Sequence, residues 1–484
     1  MTSSGSISWS AAFGPWAALL LVSSGCQPDS PRADKQFAIS ERASQASAEH
    51  PSLPHGQQNV TGEDALTADE TTGVNRDEDH IATAKEFKVP VVKDTDNSVN
   101  QLYSPQQHFE AGQESEQTGN TSNAIAHYTA ALELDPDFTA ARKNLGSLLM
   151  SLDRYVDASV LYGQLVERDP SNADAHNDWG VVLVRIGNLQ EAIAQFREAL
   201  RLKSKHPDAH YNLAVALLAD GKASESIEHL IEALRIHPSY TDAYFTLGRA
   251  YLDQGKLDDA VAQFQHVMRL NREYEGLDHE LGRAYIRQDN LKKAVQHFSE
   301  AVRRAPIHFE ARYALGLALL KYGNKPGAVA QLTEAVRLEP ESPDAHLQLA
   351  VVLARLGRTE EAIVHNERAI SLRPEWPEAL NNQAWLLATT DDERLRDPQR
   401  ALDLAMRAKA LADYKMPLVL DTLAAAQAAA GQFEQAQQTA AKAAEWAAAM
   451  DQSQTAEKIQ QRLNEYRAGR PHRQSNDRQA AGDQ

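Results

Sequence analysis

Residues 173–206 read ADAHNDWGVVLVRIGNLQEAIAQFREALRLKSKH, and this stretch decides the fold. From Ala175 to Arg185 the apolar residues fall at helical spacing and then stop at Gly187. A second helical pattern runs from about Leu189 to Leu202, with Ala192, Phe196 and Ala199 on one face. Two short amphipathic helices joined at a glycine make a helical hairpin. The small residues Gly180 and Ala192 predict a close approach of the two helices, since a larger side chain at either would force them apart.

The same hairpin recurs every 34 residues. Proline stands at Pro136 and Pro170, gives way to Ser204, returns at Pro238, gives way to Arg272, and returns at Pro306, Pro340 and Pro374. A small residue keeps that step at Gly112, Gly146, Gly180, Ala214, Gly248, Gly282, Gly316 and Ala350. Another does so at Ala124, Ala158, Ala192, Ser226, Ala260, Ala294, Ala328 and Ala362. Three residue classes locked to one period identify a repeat protein. The residue between the helices is Gly119, Asp153, Gly187, Gly221, Gly255, Asp289, Gly323 or Gly357. Gly, Asn and Asp occupy a left-handed position cheaply, so this column is predicted to end the first helix of each unit. The prolines close the second helix, because they lack an N–H and disfavour helix before them. Asp174, Asp208, Asp242, Glu310, Asp344 and Glu378 open successive first helices, where negative charge meets the helix dipole favourably.

The pattern resembles the tetratricopeptide repeat (TPR) family. The resemblance is carried by Leu145-Gly146, Leu247-Gly248, Leu281-Gly282 and Leu315-Gly316, by Tyr128, Tyr162, Phe196, Phe264 and Phe298, and by the closing prolines. It implies an all-α, right-handed superhelical solenoid of about ten helix-turn-helix repeats with a C-terminal capping helix. Units are expected near 105–138, 139–172, 173–206, 207–240, 241–274, 275–308, 309–342, 343–376, 377–416 and 417–450. The ninth carries extra residues around Thr390–Pro398. A capping segment is expected over 451–473, built on Ala456, Ile459, Leu463 and Tyr466, giving the polar outer face that such arrays need for solubility. Beyond Gly469 the sequence is polar and reads as a loose tail, with 474–484 disordered.

Ahead of the repeats, Ala11 to Val22 form an uncharged apolar run of signal-peptide length. It ends in Ser23-Ser24-Gly25-Cys26 and turns polar at once, which resembles a bacterial lipobox. That resemblance implies cleavage after residue 25 and acylation of Cys26. Two features depart from it: Ser23 stands where leucine is preferred, and no basic residue precedes the apolar run. Cys26 is also the single cysteine, so a disulfide framework is excluded. Residues 27–104 hold 14 acidic against 7 basic residues with few aromatics, too little apolar surface to offset the entropy of ordering. They read as a disordered acidic tether, whose 78 residues would span roughly 50 Å as a flexible chain. The expected location is the bacterial cell envelope, membrane-anchored and facing the periplasm, with secreted or free periplasmic forms as alternatives.

Composition limits what the array can do. The chain of 484 residues has net charge −18, which argues against a nucleic-acid partner, and no apolar run reaches bilayer-spanning length. No His-Glu-x-x-His, phosphate loop or nucleophile elbow is present, so no enzyme activity, cofactor or small-molecule substrate is expected. His127, His229, His297 and His365 recur at one place in the repeat but lie too far apart to share an ion, so no metal site is expected.

In TPR proteins the first helices line a concave groove that holds a peptide or a partner helix. The resemblance implies two sets of groove residues. Asn144, Asn212, Gln348 and Asn382 precede the leucine position, where the arrays of O-GlcNAc transferases carry an asparagine ladder. An amide there can donate to and accept from an extended backbone. Asp178, Thr246, Glu280 and Ala314 interrupt the series. Arg185, Arg249, Arg283, Arg287, Lys321 and Arg355 form a basic set that would attract an acidic segment. The competing reading of the basic set is long side chains covering apolar helix surface and pairing with nearby acids. The expected function is therefore a non-enzymatic scaffold or assembly factor for proteins or peptides. The alternatives are a substrate-presenting module for a separate O-GlcNAc-type glycosyltransferase and a cytosolic TPR adaptor.

Overall fold

The computed structural model describes residues 103–412 and 417–474. The expected signal segment, Cys26, nearly all of the tether, and residues 475–484 lie outside the described residues. Within them there are twenty-one α-helices and no named strand. They are α1 Pro105–Gln117, α2 Thr121–Leu134, α3 Thr139–Ser151, α4 Tyr155–Arg168, α5 Ala173–Arg185, α6 Leu189–Leu202, α7 Pro207–Ala219, α8 Ala223–Ile236, α9 Thr241–Asp253, α10 Leu257–Leu270 and α11 Leu277–Arg287. Then follow α12 Leu291–Arg304, α13 Phe309–Tyr322, α14 Lys325–Leu338, α15 Pro343–Arg355, α16 Thr359–Leu372, α17 Pro377–Thr389, α18 Pro398–Leu411, α19 Pro417–Ala429, α20 Phe433–Ala449 and α21 Ser453–Arg467. None is long and apolar enough to cross a membrane. Consecutive helices pack as hairpins, the arrangement of an all-α solenoid. The chain divides into two compact units at Ala250 and Tyr251.

Local chemistry sets the ends of each helix. Ser104 opens α1 with a capping box: its hydroxyl accepts from Gln107 N while the Gln107 side chain accepts from Ser104 N. Asn172 and Ser342 cap α5 and α15 in the same way, accepting from Ala175 N and Ala345 N. The predicted acidic residues do lie in the first turns of their helices. The hairpin turns take the left-handed backbone at every predicted position, including the two that are not glycine: Asp153 at φ 59° and Asp289 at φ 58°. One start differs. In the 275–308 unit Gly276 holds a left-handed φ of 74° just before Leu277, so α11 begins late and has 11 residues.

Inside the hairpin an aromatic ring packs directly against a glycine. A Cβ built on Gly180 would sit 2.5 Å from Phe196 Cε1, and one on Gly146 would sit 2.9 Å from Tyr162 Cε2. Both rings are wholly buried. We expect Gly180→Ala to lower stability by about 1–3 kcal/mol, because the ring cannot withdraw from a filled hairpin. A urea midpoint equal to that of the parent would contradict this packing.

In the first unit the core combines Tyr128, Tyr162 and Phe196 with leucines and alanines of α2 to α7. In the second, an alanine-rich cluster from Leu420 to Ala447 closes on Ile459, Leu463 and Tyr466 of α21. The stretch after Gly469 corrects the expected loose tail. Gln474 N donates to Thr389 O at 2.8 Å, the Arg473 guanidinium donates to Ala388 O at 2.8 Å, and His472 lies beside Trp385. Residues 470–474 thus cover the exposed carbonyl end of α17, where the extra residues of the ninth repeat leave orphan acceptors.

Candidate functional site

The candidate amide ladder is split by packing. Asn212 is wholly buried and donates to Asn177 Oδ1 at 2.9 Å, so α5 and α7 consume it, and it is withdrawn as a ligand-binding residue. Its neighbour Asn177 donates in turn to Asp178, which pairs with Lys143 at 3.7 Å. Asn144 is half-buried and lies 3.4 Å from Tyr128 Oη, which donates to Glu116. Burial, chiefly, pushes the Tyr128 phenol up to about 12, so it remains a donor at neutral pH. The first unit has therefore turned much of its ladder into an internal network, an arrangement that satisfies buried polar groups at low dielectric.

In the second unit Gln348 and Asn382 occupy equivalent positions on α15 and α17, which touch. Both are half-buried, and neither has a partner among the described residues. They are two amides at the same register, one repeat apart, with their hydrogen-bonding capacity unspent.

The basic set is also divided. Arg283 is mostly buried and held by Glu280 at 2.8 and 3.0 Å. Arg287 donates to Leu252 O, capping the carbonyl end of α9. Lys321 pairs with Asp289 at 2.8 Å, and Arg249 is half-buried and engaged. Arg185 is exposed, 5.9 Å from the centre of the Tyr155 ring. Arg355 is exposed about two turns beyond Gln348 on the same helix, α15. For Arg283, Arg287 and Lys321 the arrangement favours pairing within the fold over a free basic column.

A second polar column was missed in the sequence because its partners lie 19 residues apart on opposite helices of a hairpin. His108 faces His127 with Nδ1 atoms 3.1 Å apart; His210 faces His229 and His346 faces His365, each at 3.0 Å. The same position holds His176 on Gln195 at 2.7 Å, His297 on Asp278 at 2.8 Å and Arg312 on Gln331 at 3.0 Å. The first-helix member also reaches back to the linker: His176 to Pro170 O, His210 to Ser204 O, His346 to Pro340 O and Arg312 to Pro306 O. These four clasps tie a hairpin to the loop before it.

These clasps predict acid sensitivity. Burial lowers the pKa of His108, His210, His229, His346 and His365 below the ordinary value of about 6.5. The unfolded chain then binds more protons than the folded one as pH falls below 6.5. Their contribution is thus complete above that pH and is lost as pH falls towards the lowered values. Glu225, Glu228 and Glu232 oppose the loss at His210 and His229, while Arg197 and Arg235 add to it. Thermal melts between pH 7.5 and 5 should show a falling midpoint that His210→Gln with His346→Gln flattens. An equal slope in parent and variant would refute the assignment.

Sequence models of the tetratricopeptide repeat match residues 158–207, 177–241, 279–332 and 318–379, residues 117–177 and 217–277, and residues 417–442. Together they span more than half of the chain. Among solved structures, YrrB, described as a TPR protein with an unusual peptide-binding site, is 23% identical over 38% of this chain and 95% of its own, with a TM-score of 0.35. MamA from Desulfovibrio magneticus RS-1 is 23% identical over 35% of this chain and 95% of its own, with a TM-score of 0.34. The pilF protein of Pseudomonas aeruginosa is 18% identical over 43% of this chain and 95% of its own, with a TM-score of 0.39. No curated protein matches the chain.

Proposed function

The chain belongs to the tetratricopeptide-repeat family, and we propose that it is a non-enzymatic scaffold that binds an extended peptide segment of a partner protein along α15 and α17. TPR proteins are in general protein-interaction scaffolds. The observation that carries the specific reading is the pair Gln348 and Asn382, whose amides stand at one register with no partner among the described residues. A carboxamide offers a donor and an acceptor, and so matches the alternating groups of an extended backbone. Arg355, exposed on α15, favours a segment carrying acidic side chains. The scaffold is held at the bacterial cell envelope by a lipid on Cys26, with residues 27–104 as its leash.

Gln348→Ala with Asn382→Ala tests the site. Both positions are half-buried and unbonded, so the fold should keep its helical signal and melting midpoint. Capture of crosslinked partner proteins from intact cells should fall at least about fivefold, since two lost hydrogen bonds are worth about 1–3 kcal/mol. Undiminished capture by a folded double variant would remove these residues from the binding site.

A further inference from the structure

The histidine clasps hold a second capability that the peptide-binding reading does not use. A carbonyl oxygen can only accept, so the 3.1 Å contacts of His210 Nε2 with Ser204 O and of His346 Nε2 with Pro340 O place the ring proton on Nε2. Each Nδ1 is then a bare lone pair, aimed at the Nδ1 of His229 or His365 from 3.0 Å. The partner ring supplies the one proton between them. If that proton moves to the partner's own Nε2, both lone pairs face the gap between the rings, whose centres are 5.2 Å apart, and a turn of the half-buried partner ring brings them onto one ion beside the N–N line.

We propose that His210–His229 and His346–His365 are two-imidazole chelating sites for a divalent transition-metal ion of the nickel or copper type. A 3.0 Å nitrogen separation at a metal–nitrogen distance of about 2.1 Å subtends an angle of about 90° at the metal. That angle suits octahedral or tetragonal ions and is narrower than the roughly 109° of a tetrahedral zinc site. The backbone carbonyls behind His210 and His346 are the outer partners that fix tautomer and ring orientation in metal-binding histidines. His210 and His346 are buried, whereas His229 and His365 are half-buried and leave a side open to solvent. No cluster of three or more ligating side chains exists among the described residues, so water completes the shell. Chelation relocates a proton within the pair and releases none at neutral pH.

The surrounding charge ranks the two sites. Glu225, Glu228 and Glu232 act on His210 and His229 against Arg197 and Arg235. His346 and His365 feel Arg358 and Arg368 against Glu361 alone. The first site is therefore the tighter one. His108–His127 is the weakest candidate: His108 Nε2 is buried without a hydrogen-bond partner, so the orienting bond is missing.

The chain contains its own metal-incompetent version of the clasp, His176 on Gln195, with the same bond to a linker carbonyl. His229→Gln and His365→Gln copy it and should preserve the hairpin. Titration of the untagged full chain with Ni2+ at pH 7.5 should give two saturable equivalents, each single variant losing one and the double variant losing both. Residual binding should be at least about tenfold weaker. Ni2+ should raise the melting midpoint of the parent and leave that of the double variant unmoved. A readout free of substitution is paramagnetic broadening, which should reach the His210 and His229 imidazole signals before those of the other histidines. Equal stoichiometry in parent and double variant, general broadening of all histidines, or a parent that takes up no Ni2+ would overturn the proposal. Neither variant touches Gln348 or Asn382, so partner capture should be unchanged, and the two sites can fail separately.

Discussion

Replacing Arg462 by alanine should destabilise the C-terminal part of the array by about 3–5 kcal/mol, the cost of stranding one member of a buried ion pair. Arg462 on α21 donates through Nε and Nη2 to the two carboxylate oxygens of Asp421 on α19, at 2.9 and 2.5 Å. Asp421 is 3% exposed and Arg462 is covered on one face by Trp385, 5.4 Å from the ring centre. Burial pushes the Asp421 carboxyl up and Arg462 pulls it down. Without the arginine, burial outweighs the remaining pull of His472, so Asp421 takes a proton and loses its bidentate partner. Paired substitution Asp421→Leu with Arg462→Met should recover most of the loss, because an apolar pair avoids the desolvation of two charges. The check is a urea melt followed by tryptophan fluorescence, with Trp385 and Trp446 in this region. If the single variant were as stable as the parent, the capping helix would be held by its apolar face alone.

The second large effect concerns location. Cys26→Ser should abolish incorporation of labelled fatty acid and move the protein from the membrane to the soluble fraction of the envelope. The effect is all-or-none, because acyl chains supply the only membrane affinity in this account. A single acyl chain binds reversibly, and stable anchoring takes a second signal. Persistent membrane fractionation of the serine variant, or a parent that takes up no label, would remove the anchor from the account.

Much of the fold was legible because it rests on residue classes that repeat. The turn column is the clearest case. Asp153 and Asp289 take the left-handed backbone beside seven glycines of the repeat turns, for the same steric reason. Gly180 against Phe196 was legible too, since the small residue and the ring recur in register. The binding face was harder to read. Asn212 and Asn144 share a column, yet one is sealed by Asn177, which lies outside the repeat pattern, and the other leans on the hydroxyl of Tyr128, at an aromatic position that Phe196, Phe264 and Phe298 fill without one. The Arg283–Glu280 pair is three residues apart on one helix and was open to reading as an ion pair from the start. The clasps stayed hidden because chemistry at that position varies among His, Gln, Asp and Arg while the geometry is constant. Asp421 and Arg462 are 41 residues apart in different kinds of unit, so no periodicity links them.

In the proposed mode, partners engage the face carrying Gln348 and Asn382. The most direct test is a photo-crosslinking amino acid placed at Gln348, and separately at Val364, which is 59% exposed on the second helix of the same hairpin. In intact cells, position 348 should give discrete protein adducts and position 364 none of the same mass. Adducts from 364 alone, or an identical set from both, would contradict it.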